Sequence, residues 1–329
     1  MSVSLLMYDK ALARIGDRLR ALNLDLDLAT FDKSGKVTIG GKVLPPEEVS
    51  VDYVWFSSDM NVDDFQQGGF DLALALRSAK VLQTFNAGLD HPFYKQLSAK
   101  GTRISNSSAQ AVAISEYVIG QVLAVFQPIE EQRRLQASRT WKITPYREIA
   151  GTTWLIVGFG PIGQAIAKRA KAFGASTTVI RRSPETSDLV DRAGTLAELP
   201  RLAPEADVVV LACPLNAATR GFANSAFFAS LKPGATLVNI ARGALVDDVA
   251  MIASLDEGRL ATAILDVFHE EPLPPDNPLW SHPKVRLTSH TSFAGSGVSG
   301  RWDELFLENI GRYARGEPLL NEFNPRDLP

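Results

Sequence analysis

Three segments of the chain carry side chains that could work together. NIARGALVDD (239–248) supplies Arg242, AILDVFHEEPLP (263–274) supplies Asp266, Glu270 and Glu271, and LTSHTSFAG (287–295) supplies His290. An imidazole gives or takes a proton near neutral pH, and an adjacent carboxylate keeps it protonated and oriented. A guanidinium clamps a carboxylate and polarises a neighbouring carbonyl oxygen. With a hydride donor, these are the parts that reduction of a 2-oxo acid needs. Residue type and spacing alone leave that reading one among several, because a lone histidine at a strand end is more often a structural or surface residue.

A donor site is indicated by VGFGPIG (157–163), a Gly-x-Gly-x-x-Gly run at Gly158, Gly160 and Gly163. The run is weak by itself, but it follows the apolar strand pattern TWLIV, opens the helical pattern PIGQAIAKRAKAFG and leads to a second strand ending near 180. Gly158 suits the tight turn, Gly160 the close approach of a pyrophosphate, and Gly163 close helix packing. Pro161 and Ile162 begin the helix, whose N-terminal N–H groups attract an anion. The second strand of such a unit usually ends in Asp or Glu, which holds the adenosine ribose hydroxyls. Here that slot is Arg181, followed by Arg182 and Ser183. Guanidinium groups pair with phosphate, so the expectation is NADP(H), with NAD(H) as the alternative.

Such a site needs strands that end together. Apolar β-rich runs alternate with helical patterns over most of the 329 residues. VSLLMY (3–8), VDYVWF (51–56), KVLQTF (80–85) and TRIS (102–105) read as strands, and 32–48 reads as a hairpin insertion. After the helical pattern 108–127 and a polar arm around Trp141, six further strands start at residues 153, 176, 207, 235, 261 and 285. The predicted class is α/β, with two doubly wound domains and parallel sheets. The formal charge of −3, from 34 basic and 37 acidic residues well mixed along the chain, gives no footprint for nucleic acid or an anionic membrane. Cys213 is the only cysteine, which excludes an internal disulfide and a cysteine-cluster metal site. The N-terminal stretch is a poor signal peptide and no run is long enough for a membrane span. A cytoplasmic protein is expected.

At these motifs the chain resembles the D-isomer-specific 2-hydroxyacid dehydrogenase family, in its glyoxylate/hydroxypyruvate reductase-like branch. The resemblance implies catalytic roles for Arg242 in N-x-x-R-G-x-x-V-D, Glu271 before Pro272 in L-D-V-F-x-x-E-P, and His290 closing the last strand. It implies a nicotinamide contact for Asp266 and cofactor contacts for Pro214 and Thr219 in ACPLNAATRGF (212–222). It also implies that FNAGLDH (85–91) holds the substrate carboxylate through backbone N–H groups at Ala87, Gly88 and Leu89. The implied domains are a flavodoxin-like substrate domain, 1–115 completed by 293–329, and a Rossmann domain, 116–292. A homodimer is implied, with a small 2-oxo or 2-hydroxy acid as substrate and no metal. Two readings stay open beside it: an NAD-dependent dehydrogenase of a larger D-2-hydroxy acid, and a dinucleotide-sensing corepressor-like protein. The chain departs from the family pattern at Ser289, where proline is common, and in the small polar residues after His290. Glutamate at 271, where formate dehydrogenases carry glutamine, argues against formate. His91, His269 and His282 read as structural, Asp247 and Asp248 as helix caps, and Cys213 as a buried apolar residue. Trp55 and Phe56 read as core or pocket wall.

Overall fold

The computed structural model describes residues 2–325. The chain divides into two compact units, one comprising residues up to Gln110 with those from Ser296 onward, the other Ala111–Gly295.

The first unit is built on seven strands: β1 (Val3–Tyr8), β2 (Leu26–Phe31), β3 (Val37–Ile39), β4 (Lys42–Leu44), β5 (Ser50–Phe56), β6 (Ser78–Thr84) and β7 (Arg103–Ser105). Their order is β4-β3-β2-β1-β5-β6-β7, and all neighbours are parallel except β2/β3 and β3/β4. The parallel part therefore has the 2-1-3-4-5 order of flavodoxin-like sheets. The expected hairpin at 32–48 is present as β3 and β4, joined by Gly40 and Gly41 at positive φ. Strand β2 was not expected. Asp27 interrupts its apolar pattern, and Asp27 and Leu28 are exposed although the strand is paired on both sides, with β1 and β3. Trp55 stacks on Phe306 of the helix Val298–Ala314 with ring centroids 3.9 Å apart, and both Trp55 and Phe56 are about 1% exposed. Packing of the core explains these two aromatic residues.

The second unit holds β8 (Thr153–Val157), β9 (Ser176–Ile180), β10 (Arg192–Gly194), β11 (Val208–Leu211), β12 (Ala235–Asn239), β13 (Leu260–Leu265) and β14 (Val285–Leu287). They form one parallel sheet in the order β10-β9-β8-β11-β12-β13-β14. Six of these strands were expected; β10 has only three residues, one a glycine, which is too short for a period to show. Alternate residues of β8 go to opposite faces: Leu155 and Val157 pack with Leu211, Leu237 and Leu265, while Trp154 and Ile156 pack with Val118, Ile166 and Val210. Burial on both faces is why these strands read as continuous apolar runs.

Register matters most for the site. Ile180 pairs with Val157, Val157 with Leu211, Leu211 with Asn239, Asn239 with Leu265 and Leu265 with Leu287. Six strands thus release their loops at one level along one edge. The chain order reverses between β8 and β11, the kind of crevice where open α/β sheets bind ligands.

Candidate active site

The glycine motif leaves β8 at that reversal. Gly158 has φ 102°, and a Cβ there would stand 2.6 Å from the Ala212 carbonyl and the Cys213 nitrogen. A Cβ on Gly163 would stand 2.2 Å from the Gly158 oxygen, so this glycine lets the helix Pro161–Ala172 sit against the turn. Nothing lies within 4 Å of where a Gly160 Cβ would be, and Pro161 opens the helix beside it. Open space in front of a helix N-terminus is what a pyrophosphate requires. The residues present fit a dinucleotide.

Beyond β9, the Arg181 backbone N–H bonds Gly194 at 2.9 Å and its guanidinium lies 5.6 Å from the centroid of the Phe159 ring, within the glycine turn. Arg181 is half-buried, whereas Arg182 and Ser183 are exposed. After β11, Pro214 and Thr219 belong to a self-bonded turn: the Thr219 hydroxyl donates to the Pro214 carbonyl at 2.7 Å and accepts from the Asn216 N–H at 2.9 Å.

The Arg242 loop follows β12. The buried Asn239 side chain shapes it, accepting from the Ala241 N–H at 3.1 Å and donating to the Arg242 carbonyl at 2.9 Å. The Arg242 Nη1 donates to the Ala241 carbonyl at 2.6 Å, and the side chain is half-buried. Asp247 caps the next helix by accepting from the Ala250 N–H at 3.1 Å, as expected.

Glu271 and His290 are joined directly. The His290 Nδ1 lies 2.7 Å from Glu271 Oε2, and Glu271 Oε1 accepts the Phe268 N–H at 2.8 Å. With the carboxylate oxygen as acceptor, Nδ1 is the donor in this bond and Nε2 is the ring nitrogen outside it. His290 itself sits at φ 49°, a left-handed conformation that non-glycine residues rarely adopt. The loop is held there by Asp266, whose carbonyl accepts the His290 N–H at 2.8 Å. The Asp266 carboxylate, fully buried, accepts from the Thr288 hydroxyl at 2.5 Å and from the Thr291 and Ser292 N–H groups at 2.9 Å. Because Thr288 donates to Asp266, Tyr117 donates to Thr288, at 2.7 Å. Burial pushes the Tyr117 phenol up to about 12, so it stays protonated. Tyr117 and Thr288 were not singled out in the sequence, where neither stands in a catalytic motif.

The other histidines have structural bonds. His91 caps the helix Pro92–Ala99 by accepting the Phe93 N–H, His269 bonds the Val246 carbonyl, and His282 lies 3.3 Å from Asp256. Burial raises the Cys213 thiol to about 12. In the first unit, Ala87, Gly88 and Leu89 form the exit of β6, and the Ala87 carbonyl accepts from Asn106 Nδ2 at 2.6 Å.

Residues 119–292 match the model of the NAD-binding domain of the D-isomer-specific 2-hydroxyacid dehydrogenases. The chain belongs to this family. It is 30% identical over 254 residues to glyoxylate/hydroxypyruvate reductase A of Klebsiella pneumoniae, covering 75% of this chain and 80% of that one. It is also 30% identical over 261 residues to the D-3-phosphoglycerate dehydrogenase of Bacillus subtilis, 77% of this chain, but spans only 49% of that relative's length. A D-isomer-specific 2-hydroxyacid dehydrogenase from Xanthobacter autotrophicus, crystallised with NADPH and MES, superposes with a TM-score of 0.78 at 28% identity over 99% of both chains. As a family member, the protein is an NAD(P)-dependent oxidoreductase of the glyoxylate/hydroxypyruvate reductase-like branch, acting on small 2-oxo or 2-hydroxy acids. Among the described residues, no single helix is long and apolar enough to cross a membrane.

Proposed function

We propose that the protein uses NADPH to reduce a small 2-oxo acid, such as glyoxylate or hydroxypyruvate, to the D-2-hydroxy acid. The observation that carries this reading is the 2.7 Å bond between His290 and Glu271 at the edge where the dinucleotide motif ends. Bound at Gly158, Gly160, Pro161, Ile162 and Gly163, the dinucleotide supplies the hydride that adds to C2. Arg181, Arg182 and Ser183 hold its 2′-phosphate, and the turn of Pro214 and Thr219 lies against its adenosine half. The Xanthobacter structure with NADPH supports that choice.

The chain's own residues do the rest. The protonated His290 donates from Nε2 to the carbonyl oxygen as negative charge develops on it, and Glu271 stabilises the imidazolium until the proton leaves. Arg242 pairs with the substrate carboxylate and polarises the carbonyl oxygen. In the first unit, the N–H groups of Ala87, Gly88 and Leu89 serve as donors to a substrate carboxylate. Trp141, 101% exposed, with Ile143 at 88% and Tyr146 at 58%, offers an apolar arm for a second copy of the chain, which supports a homodimer. The single buried thiol suits a reducing cytoplasm.

The test is kcat/KM for glyoxylate, hydroxypyruvate, pyruvate and phenylpyruvate with NADPH and with NADH. Preference for the two small acids with NADPH supports the reading. Preference for phenylpyruvate with NADH assigns a larger substrate, and no turnover of any acid removes the enzymatic reading.

A further inference from the structure

In the first unit, three successive carbonyls at the exit of β6 are all held by one segment. The Phe85 carbonyl accepts from Gln110 Nε2, the Asn86 carbonyl from the Ser107 N–H at 2.9 Å, and the Ala87 carbonyl from Asn106 Nδ2 at 2.6 Å. A trans peptide points its N–H opposite to its C=O. Turning the carbonyls of Asn86 and Ala87 toward residues 106–107 therefore turns the N–H groups of Ala87 and Gly88 the other way. Two successive N–H groups so aimed make a small anion-binding concavity.

We propose that Asn106 is a positioning residue for the substrate carboxylate, acting by fixing the Ala87–Gly88 peptide; this rests on the oxo-acid reading above. The Ser107 bond uses backbone, but the Ala87–Gly88 peptide is fixed by a side chain, so one substitution can release it. Asn106 is in turn anchored. Its N–H donates to the Asn321 carbonyl at 3.1 Å, Asn321 Nδ2 donates to Ser108 at 2.8 Å, and the Phe323 N–H donates to the Ile104 carbonyl at 2.8 Å. The segment 320–323, after the last helix, thus serves as a brace for the loop that faces the substrate.

The test compares Asn106→Ala and Asn106→Asp with wild type. Readouts are KM and kcat for glyoxylate at saturating NADPH, Kd for NADPH by fluorescence, and Kd for oxalate on the NADPH-loaded protein. The lost bond should raise KM for glyoxylate and Kd for oxalate about tenfold in Asn106→Ala, with kcat and NADPH affinity within about twofold. Asn106→Asp keeps the shape and replaces the donor by an acceptor, so its loss at neutral pH should be larger. The ratio of its oxalate Kd to that of wild type should then fall as pH drops toward about 4, where the new carboxyl regains a proton to donate. Unchanged KM and oxalate Kd in both variants overturn the proposal, as does an equal loss of NADPH affinity. Oxalate binding is read without turnover, so a wild type that binds oxalate in this manner yet reduces no oxo acid would count against the reading of the reaction and not against Asn106.

Discussion

Gly243 and Phe268 are in backbone contact: a Cβ on Gly243 would stand 2.0 Å from the Phe268 carbonyl carbon and 2.3 Å from the His269 nitrogen. The Arg242 loop is therefore pressed against the loop that ends in Glu271. Glu271 is bonded to His290, so the three loops that follow β12, β13 and β14 form one contiguous body.

Gly243→Ala should wedge that body apart. Both partners at the contact are backbone, which cannot rotate away, so overpacking should destabilise the protein by about 1–3 kcal/mol. It should also lower kcat while leaving NADPH affinity nearly intact. Urea unfolding, turnover and cofactor titration on one preparation check this. A variant with wild-type stability and turnover would mean that the contact yields freely.

Glu271→Gln keeps the shape and removes the charge beside His290. The imidazolium loses its anionic partner and the ring its orienting acceptor, so kcat should fall by roughly 10- to 100-fold. NADPH affinity should stay within about twofold, since the loss lies in proton transfer and not in cofactor binding. Unchanged kcat would assign Glu271 to structure alone.

Arg181→Ala with Arg182→Ala tests the cofactor reading. KM for NADPH should rise by on the order of 100-fold for the loss of charge-assisted phosphate bonds, with KM for NADH changed only a few-fold. Equal effects on both cofactors would return the pair to a solvent role.

Asp207, 7% exposed, ties the start of β11 to its surroundings through Lys232 and Arg147, each at 2.6 Å, and through the Thr153 N–H at 2.9 Å. Burial alone would raise its carboxyl, but the Lys232 and Thr153 bonds and the two cationic charges outweigh that, and it lies below the usual carboxylate range. A depressed value means stability that is present above the unfolded-state value and is lost as pH falls through the folded one. Asp207→Asn should cost about 2 kcal/mol at pH 7. The gap from wild type should close only below about pH 4. Urea unfolding across that range measures it, and a gap that persists at low pH would show that charge is not its source.

The legible parts of the sequence were those with a strong local signal. Buried parallel strands announce themselves as apolar runs, and the glycine turn by its three positions. Arg242, Glu271 and His290 stood out through motif order, and the structure joins Glu271 to His290 by a hydrogen bond. What stayed hidden depends on pairing across distance. Asp266 stood out by its motif, whereas the three bonds its carboxylate accepts from residues 288–292 are visible only in the fold. Tyr117 reaches Thr288 across 171 residues, and Asn106 reaches Ala87 from the next strand exit. Neither link leaves a trace in periodicity or composition.

The central claim is proton donation by His290 to a reduced oxo acid. The most direct measurement is NADPH-dependent turnover of glyoxylate and hydroxypyruvate by wild type and His290→Ala, with NADPH affinity measured on both. The account predicts robust wild-type turnover, a loss in kcat of roughly 100- to 10,000-fold in the variant, and nearly equal NADPH affinity. Wild-type kcat in His290→Ala would contradict it.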